Sequence, residues 1–199
     1  MAYKHHDSFY KKAKEEGYRS RAAYKLLELQ QHFRVIRPGD SVVDLGAAPG
    51  GWLQVGAGLV GPKGKIVGVD LQPLQPFGKR NVTVIQGDIT AEATTERIKQ
   101  ILGGQADCVI SDLAPKLSGI KDADAARSLE LNRTALTVAT RLLRPGGIFL
   151  VKGFVGNDLQ AFTLELKKYF RSVQRTRPEA TRKTSSEIYF CAKEFHPAS

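Results

Sequence analysis

Cysteine, tryptophan and methionine are nearly missing from this chain: its 199 residues hold two Cys, one Trp and one Met. Two cysteines exclude a disulfide framework and a four-cysteine zinc site. No apolar run approaches the roughly 18 residues that a membrane-spanning helix needs. The opening segment, MAYKHHDSFYKKAKEE, lacks the apolar stretch of a secretory signal, so a cytoplasmic location is the expectation. Glycine (19) and proline (9) are too few for a collagen-like or low-complexity chain, and the 42% hydrophobic content is too high for a disordered one. Acids are also scarce, with 20 Asp and Glu against 30 Lys and Arg, for a net charge of +10. What remains is the composition of a single domain spanning residues 1–199, long enough to bury a core without staples.

The basic excess is not spread evenly. Residues 1–37 carry nine basic and four acidic side chains, and residues 167–183 carry seven and one. These two blocks hold a net +5 and +6, so the rest of the chain is close to neutral. Solvated basic faces that only aid solubility are one reading. A footprint for a polyanion, with RNA or DNA the obvious candidate, is the sharper one. Neither block forms a clean amphipathic helix with Trp or Phe anchors, which argues against a membrane surface.

Periodicity predicts strands alternating with helices. Residues 20–34 read as a helix with Ser20 as N-cap, because Ala22, Leu26, Leu29 and Phe33 recur at helical spacing. Apolar runs at 41–46, 65–71, 81–88, 106–115 and 146–154 read as buried parallel strands, with helices at 51–60, 91–102, 124–143 and 158–170. Strands at 172–178 and 186–195 follow, joined by a basic loop too short for a parallel crossover, so the last strand is expected to be antiparallel. The predicted fold is α/β, a mostly parallel sheet with helices on both faces. Ligands of such sheets bind outside the carboxyl ends of the strands. That edge carries the glycine turn at 46–51, Asp70, Asp88, Asp112 and Lys152, and an antiparallel last strand adds Glu187.

The turn after the first strand, DLGAAPGG (44–51), permits close approach of a ligand to the backbone. It is not the dinucleotide fingerprint G-x-G-x-x-G, because position 48 is alanine. A nucleoside carrying an amino acid suits it better than a pyrophosphate. Asp70 is placed to accept from ribose hydroxyls and Asp88 from an adenine amino group. Each acid alone could be an ordinary solvated strand end. The ordered set of glycine turn, Asp70 and Asp88 points to S-adenosylmethionine. Trp52, just after the turn, packs either on that donor or on its own helix, with the donor favoured.

Four charged residues are candidates to converge above the sheet: Lys25, Asp112, Lys152 and Glu187. Lys152 lies inside an otherwise apolar strand and asks for a carboxylate partner. A structural ion pair with Asp112 is the plain explanation. Buried pairs are weak stability devices, however, and perturbed ones cluster at working sites.

These residues resemble a known family. YRSRAAYKL (18–26), DLGAAPGGW (44–52), GVDL (68–71), QGDIT (86–90), SDLAPKLSG (111–119), VKGF (151–154) and SSEIYF (185–190) are similar, in order, to the motifs of the FtsJ-type RNA 2′-O-methyltransferases. The resemblance covers residues 18–192 and is strongest to members that methylate a uridine ribose in large-subunit ribosomal RNA. It implies a Rossmann-like fold with a seven-stranded sheet, S-adenosylmethionine as methyl donor, and no metal. It implies a catalytic tetrad of Lys25, Asp112, Lys152 and Glu187, and a donor site of Gly46, Gly50, Trp52, Asp70, Asp88 and Asp112. Lys116, and the continuation Val155-Gly156-Asn157-Asp158 after VKGF, depart from the usual pattern.

The expected chemistry is in-line transfer to a ribose 2′-hydroxyl, with Lys152 as general base or as the charge beside the developing alkoxide. Asp112 would orient Lys152 and the donor, and Glu187 the ribose or Lys25. RNA would be held by Lys4, Lys11, Lys12, Lys14, Arg19 and Arg21 in the first block and by Arg175, Arg177, Arg182 and Lys183 in the second. Tyr10, Tyr18 and Tyr24 are candidate base-stacking residues. A monomer is expected. His5-His6 is too short for a metal site. Alternatives are a tRNA-modifying member of the family, a nicotinamide-dependent oxidoreductase, and a non-catalytic RNA-binding ribosome assembly factor.

Overall fold

The first strand, β1 (Ser41–Leu45), is the hub of a seven-stranded sheet and is buried along nearly its whole length. The structure, a computed structural model, describes residues 8–115, 121–156, 159–182 and 185–197, without the side chains of residues 121 and 122. Lys4, His5, His6, Lys116, Asn157, Asp158 and Lys183 lie outside the described residues. Two helices precede β1: α1 (Ser8–Glu15) and α2 (Ala22–Phe33). Then come α3 (Gly51–Val60), β2 (Lys65–Asp70), β3 (Val82–Gln86), α4 (Glu92–Leu102), β4 (Ala106–Ser111), α5 (Lys121–Leu142), β5 (Leu143–Phe154), α6 (Leu159–Lys167), β6 (Phe170–Thr176) and β7 (Glu187–Phe195).

The strand order is β3-β2-β1-β4-β5-β7-β6, with β7 antiparallel to both of its neighbours. The chain winds outward through β2 and β3 on one side of β1, then returns to place β4 on the other. The order therefore reverses between β1 and β4. Connections diverge there and open a crevice outside the carboxyl ends of the strands. Leu45 pairs with Ser111 at that point, so Gly46 and Asp112 stand side by side at the crevice floor.

Side chains on a strand alternate between faces. Val43, Leu45, Val67, Val109, Phe149, Val151 and Phe190 join the core under α4, α5 and α6. Val42, Ile66, Cys108, Ile110, Leu150, Tyr189 and Cys191 join the core under α2 and α3. Lys152 is two residues beyond Leu150, and Glu187 two before Tyr189. Both therefore fall on the α2 face. Leu26, Leu29 and Leu53 fill this face completely buried. Each contributes about 1.5–3 kcal/mol relative to exposure, which fixes α2, and with it Lys25, against the sheet.

Two expectations change. Ser20 does not cap α2. The helix starts at Ala22 after Arg21, which is already αR and makes no side-chain cap, while the Ser20 carbonyl accepts the Ala23 N–H at 3.2 Å. The Ser20 hydroxyl lies instead where a Cβ on Gly51 would stand, so the two segments pack in direct contact. Secondly, β5 begins at Leu143, which pairs with Ala106 ahead of a register shift; Gly146, at φ 79°, lets the strand resume at Ile148 opposite Cys108.

Candidate active site

Strand register builds the first half of the site. Ser111 pairs with Val151, so the next residues, Asp112 and Lys152, emerge together at the strand ends. The Lys152 ammonium donates to the Asp112 carbonyl at 2.7 Å and lies 3.1 Å from its carboxylate Oδ1. Lys152 is 3% exposed. On the other side of β5, Lys152 is registered with Tyr189 and Phe154 with Glu187. The Tyr189 hydroxyl donates to the same Asp112 Oδ1 at 2.6 Å. Burial, and then the Asp112 charge, push this phenol well above its ordinary range, so it stays a protonated donor.

The second half needs α2. Lys25 Nζ lies 2.6 Å from Glu187 Oε2, and its side chain is as buried as that of Lys152. It also stands 5.7 Å from the centre of the Tyr189 ring. Tyr189 thus joins the two ion pairs, its hydroxyl on one and its ring beside the other. The sequence reading passed over Tyr189. Its signal was the i, i+2 spacing from Glu187 on the same strand face. Leaving either lysine unpaired would be costly, since removing one partner of a buried pair costs about 3–5 kcal/mol.

The glycine turn lies beside this group. Gly46 and Gly50 have φ of 79° and 110°, values that favour glycine. The Gly46 and Ala47 N–H groups donate to the Val69 carbonyl, and the Ala48 N–H donates to Asp70 Oδ2 at 2.9 Å. Asp70 Oδ1 accepts the Gln72 N–H at 2.8 Å, so one carboxylate holds both the turn and the loop that leaves β2. Asp88 is exposed, and its Oδ1 accepts the N–H and the hydroxyl of Thr90, both at 2.8 Å. Those bonds pull its carboxyl below the usual carboxylate range. Asp44 is the unexpected member. It is 1% exposed, and its Oδ2 has no hydrogen-bond partner. Burial first, then the charges of Asp112 and Asp70, push this carboxyl well above its ordinary range. An Asp at the centre of an apolar strand run was a readable signal that the sequence reading left unused.

Trp52 is committed to helix packing. It is 3% exposed, its indole N–H donates to the Ala22 carbonyl at 2.8 Å, and its ring lies 5.8 Å from that of Tyr189.

The basic blocks come together in space. Glu28 of α2 accepts the N–H groups of Glu179 and Ala180 at 2.6 and 3.0 Å, tying the loop after β6 to the helix that carries Lys25. Ala13, Tyr24 and Ala180 pack in one small core that draws α1 into the same platform. Lys11, Lys12, Lys14 and Arg182 are exposed on these segments, and Arg21 is half-buried; Arg175 is exposed too, but it pairs with Phe190 and so falls on the opposite face of the sheet. Arg177 is exposed, and its guanidinium donates to the carbonyls of Arg182 and Ser185. Arg19 is turned inward, against the loop after β2. Of the three tyrosines, Tyr10 is exposed. Tyr24 is buried, donates to Glu16 at 2.8 Å, and has its phenol pushed up to about 12 by burial and that carboxylate. Tyr18 packs edge-on against it.

Comparison with known proteins gives this geometry a context. Residues 18–195 match the model of the FtsJ-like methyltransferases. The chain is 55% identical over 194 residues to a protein of Methanothrix thermoacetophila named ribosomal RNA large subunit methyltransferase E, covering 98% of this chain and 74% of that one. It is 48% identical to a protein of the same name from Coxiella burnetii, with 95% and 91% covered. A crystal structure of a ribosomal RNA methyltransferase from Plasmodium falciparum superposes with a TM-score of 0.79 at 31% identity, over 89% of this chain and 98% of that one. Among the described residues no helix is long and apolar enough to cross a membrane.

Proposed function

Because this chain belongs to the FtsJ-like methyltransferase family, we propose that it methylates the 2′-hydroxyl of a uridine ribose in large-subunit ribosomal RNA, with S-adenosylmethionine as donor. The names of its relatives support the substrate class. The observation that carries the chemistry is the pair of buried lysine–carboxylate contacts joined through Tyr189. The chain acts as one domain and as a monomer, and its basic N-terminal segment, residues 1–37, captures RNA together with the second block.

The residues at the switch point suit this donor. Asp70 and Asp112 gather negative charge around bare glycine backbone; burial, reinforced by their repulsion, keeps Asp44 protonated, with one buried oxygen lacking a partner. A cationic ligand relieves that repulsion, whereas a pyrophosphate would add to it. Asp44, Gly46, Gly50, Asp70, Asp88 and Asp112 would hold the donor. When bound, S-adenosylmethionine supplies an already activated sulfonium methyl group.

The protein's part is then to align a weak nucleophile and manage its proton. Alignment alone is worth about 7–11 kcal/mol in favourable cases. Lys152, fixed by the Asp112 carbonyl and carboxylate, serves the 2′-oxygen. Lys25 adds positive charge nearby, and Glu187 holds Lys25 and the ribose. Exposed Lys11, Lys12 and Arg182 engage the phosphate backbone. Lys152→Ala should lower single-turnover methyl transfer by about 10³-fold, in the range of general acid–base contributions, with RNA binding intact; undiminished transfer would sink the assignment. Lys152→Arg separates the two roles, since arginine keeps the charge but cannot take a proton. Mapping 2′-O-methyl marks in cellular RNA after gene deletion names the nucleotide. Loss from tRNA alone would overturn the ribosomal reading.

A further inference from the structure

Arg19 stands among the basic residues of the first block, yet its half-buried guanidinium is engaged by the protein itself. Nη1 donates to the Gln75 carbonyl and Nη2 to the Pro76 carbonyl, both at 2.7 Å. Its plane lies 3.7 Å from the centre of the Phe77 ring. Its own backbone N–H donates to Gln54 Oε1 of α3 at 2.6 Å, and Gln54 Nε2 donates back to the Gly17 carbonyl at 3.0 Å. The loop held this way, residues 71–80, leaves the carboxyl end of β2 directly after Asp70 and folds back toward the glycine turn. A Cβ on Gly50 would come within 2.5 Å of Phe77 Cζ and 3.1 Å of Arg19 Cδ, so loop, arginine and turn are in direct contact. Leu74 and Phe77 of the loop pack on the core under α2 and α3, and the Leu71 carbonyl accepts from Gln86 Nε2. Leu71 is 67% exposed, and most of residues 71–79 form neither helix nor strand.

We infer that Arg19 is a donor-site positioning residue and not an RNA contact: its planar fork clasps the 71–80 loop against Gly50 and so shapes the wall of the donor pocket. The inference rests on the reading of the glycine turn and Asp70 as the donor site. Two carbonyls and an aromatic face, spaced as here, match a guanidinium and not an ammonium. The arrangement also places donor and acceptor control on one short stretch, because Arg19 and Lys25 lie within seven residues of each other.

Binding of S-adenosylhomocysteine by calorimetry, and of an RNA fragment across a salt series, tests this on the full chain. Arg19→Ala should weaken S-adenosylhomocysteine about tenfold, equivalent to about 1.4 kcal/mol, while RNA affinity and its salt slope stay unchanged. Arg19→Lys should weaken it nearly as much, although the charge is kept. Phe77→Ala should act in the same direction, and in the double variant the two losses should fall short of additivity, as expected for residues in contact. Thermal melting of each variant without ligand controls for folding. The clasp is overturned if Arg19→Lys restores normal S-adenosylhomocysteine binding, if the Arg19 and Phe77 losses simply add, or if Arg19→Ala lowers RNA affinity and its salt slope by about one and leaves S-adenosylhomocysteine untouched. Failure of the unaltered protein to bind S-adenosylhomocysteine would instead refute the donor-site reading.

Discussion

The two buried lysines are held by carboxylates at similar depth, but the protein assembles them differently. Lys152 and Asp112 come from neighbouring parallel strands whose register alone puts them side by side, and a backbone carbonyl completes the contact. Lys25 and Glu187 are 162 residues apart, and they meet only if α2 docks on the sheet and the loop before β7 is folded. The first pair is a product of the sheet. The second depends on the same segments that carry the basic charge. The proposed capture of RNA on those segments would bear directly on Lys25 and Glu187, and only through Tyr189 on Lys152.

Removing each lysine in turn separates the two pairs most strongly. Lys25→Met should slow single-turnover transfer by about 10–100-fold, the equivalent of one charge-assisted contact of about 1.5–3 kcal/mol, well short of the loss at Lys152. Equal losses, with a double variant no worse than either single one, would show that the four residues act as one unit and dissolve the distinction. Denaturant unfolding of both variants checks that the difference is not one of stability.

Asp44 lies on the Lys152 side, where burial first and then the charges of Asp112 and Asp70 raise its carboxyl. Below the ordinary carboxylate range, folded and unfolded chains are both protonated. Above it the unfolded chain ionises while folded Asp44 keeps its proton, so stability falls as pH rises, by about 1.4 kcal/mol per pH unit for one proton. Asp44→Asn should flatten this decline and raise the melting temperature of the ligand-free protein at neutral pH. It should also weaken S-adenosylhomocysteine. An unchanged pH–stability profile would refute the buried neutral acid.

The mildest test addresses the second pair through its support. Glu28→Ala frees the N–H groups of Glu179 and Ala180 and should cost about 1–2 kcal/mol, the range for hydrogen bonds to a charged group at a partly exposed site. RNA affinity should drop severalfold, while S-adenosylhomocysteine binding stays as it was. If donor binding falls instead and RNA binding does not, the loop is not part of the RNA platform.

Much of this was legible without a structure. Apolar strands broken by glycine, alternating with helical periods, gave the sheet and its antiparallel last member to within a few residues. Lys152 announced itself as a cation in an apolar run, and Asp112 as its natural partner. Arg19 reads in the sequence as one more cation among lysines, and its contacts with the 71–80 loop become visible only once the chain is folded. Trp52 is the converse: its place next to the glycine turn suggested a ligand, whereas the Ala22 carbonyl takes its N–H.

Which segments form buried strands and where the charge excess lies follow from local periodicity and composition, so both are legible in the sequence. Only the tertiary structure decided what each polar group bonds to. Hydrogen bonds and ion pairs need partners within about 3 Å, and the groups bonded by the side chains of Lys25, Arg19, Glu28 and Tyr189 lie between 56 and 162 residues away along the chain.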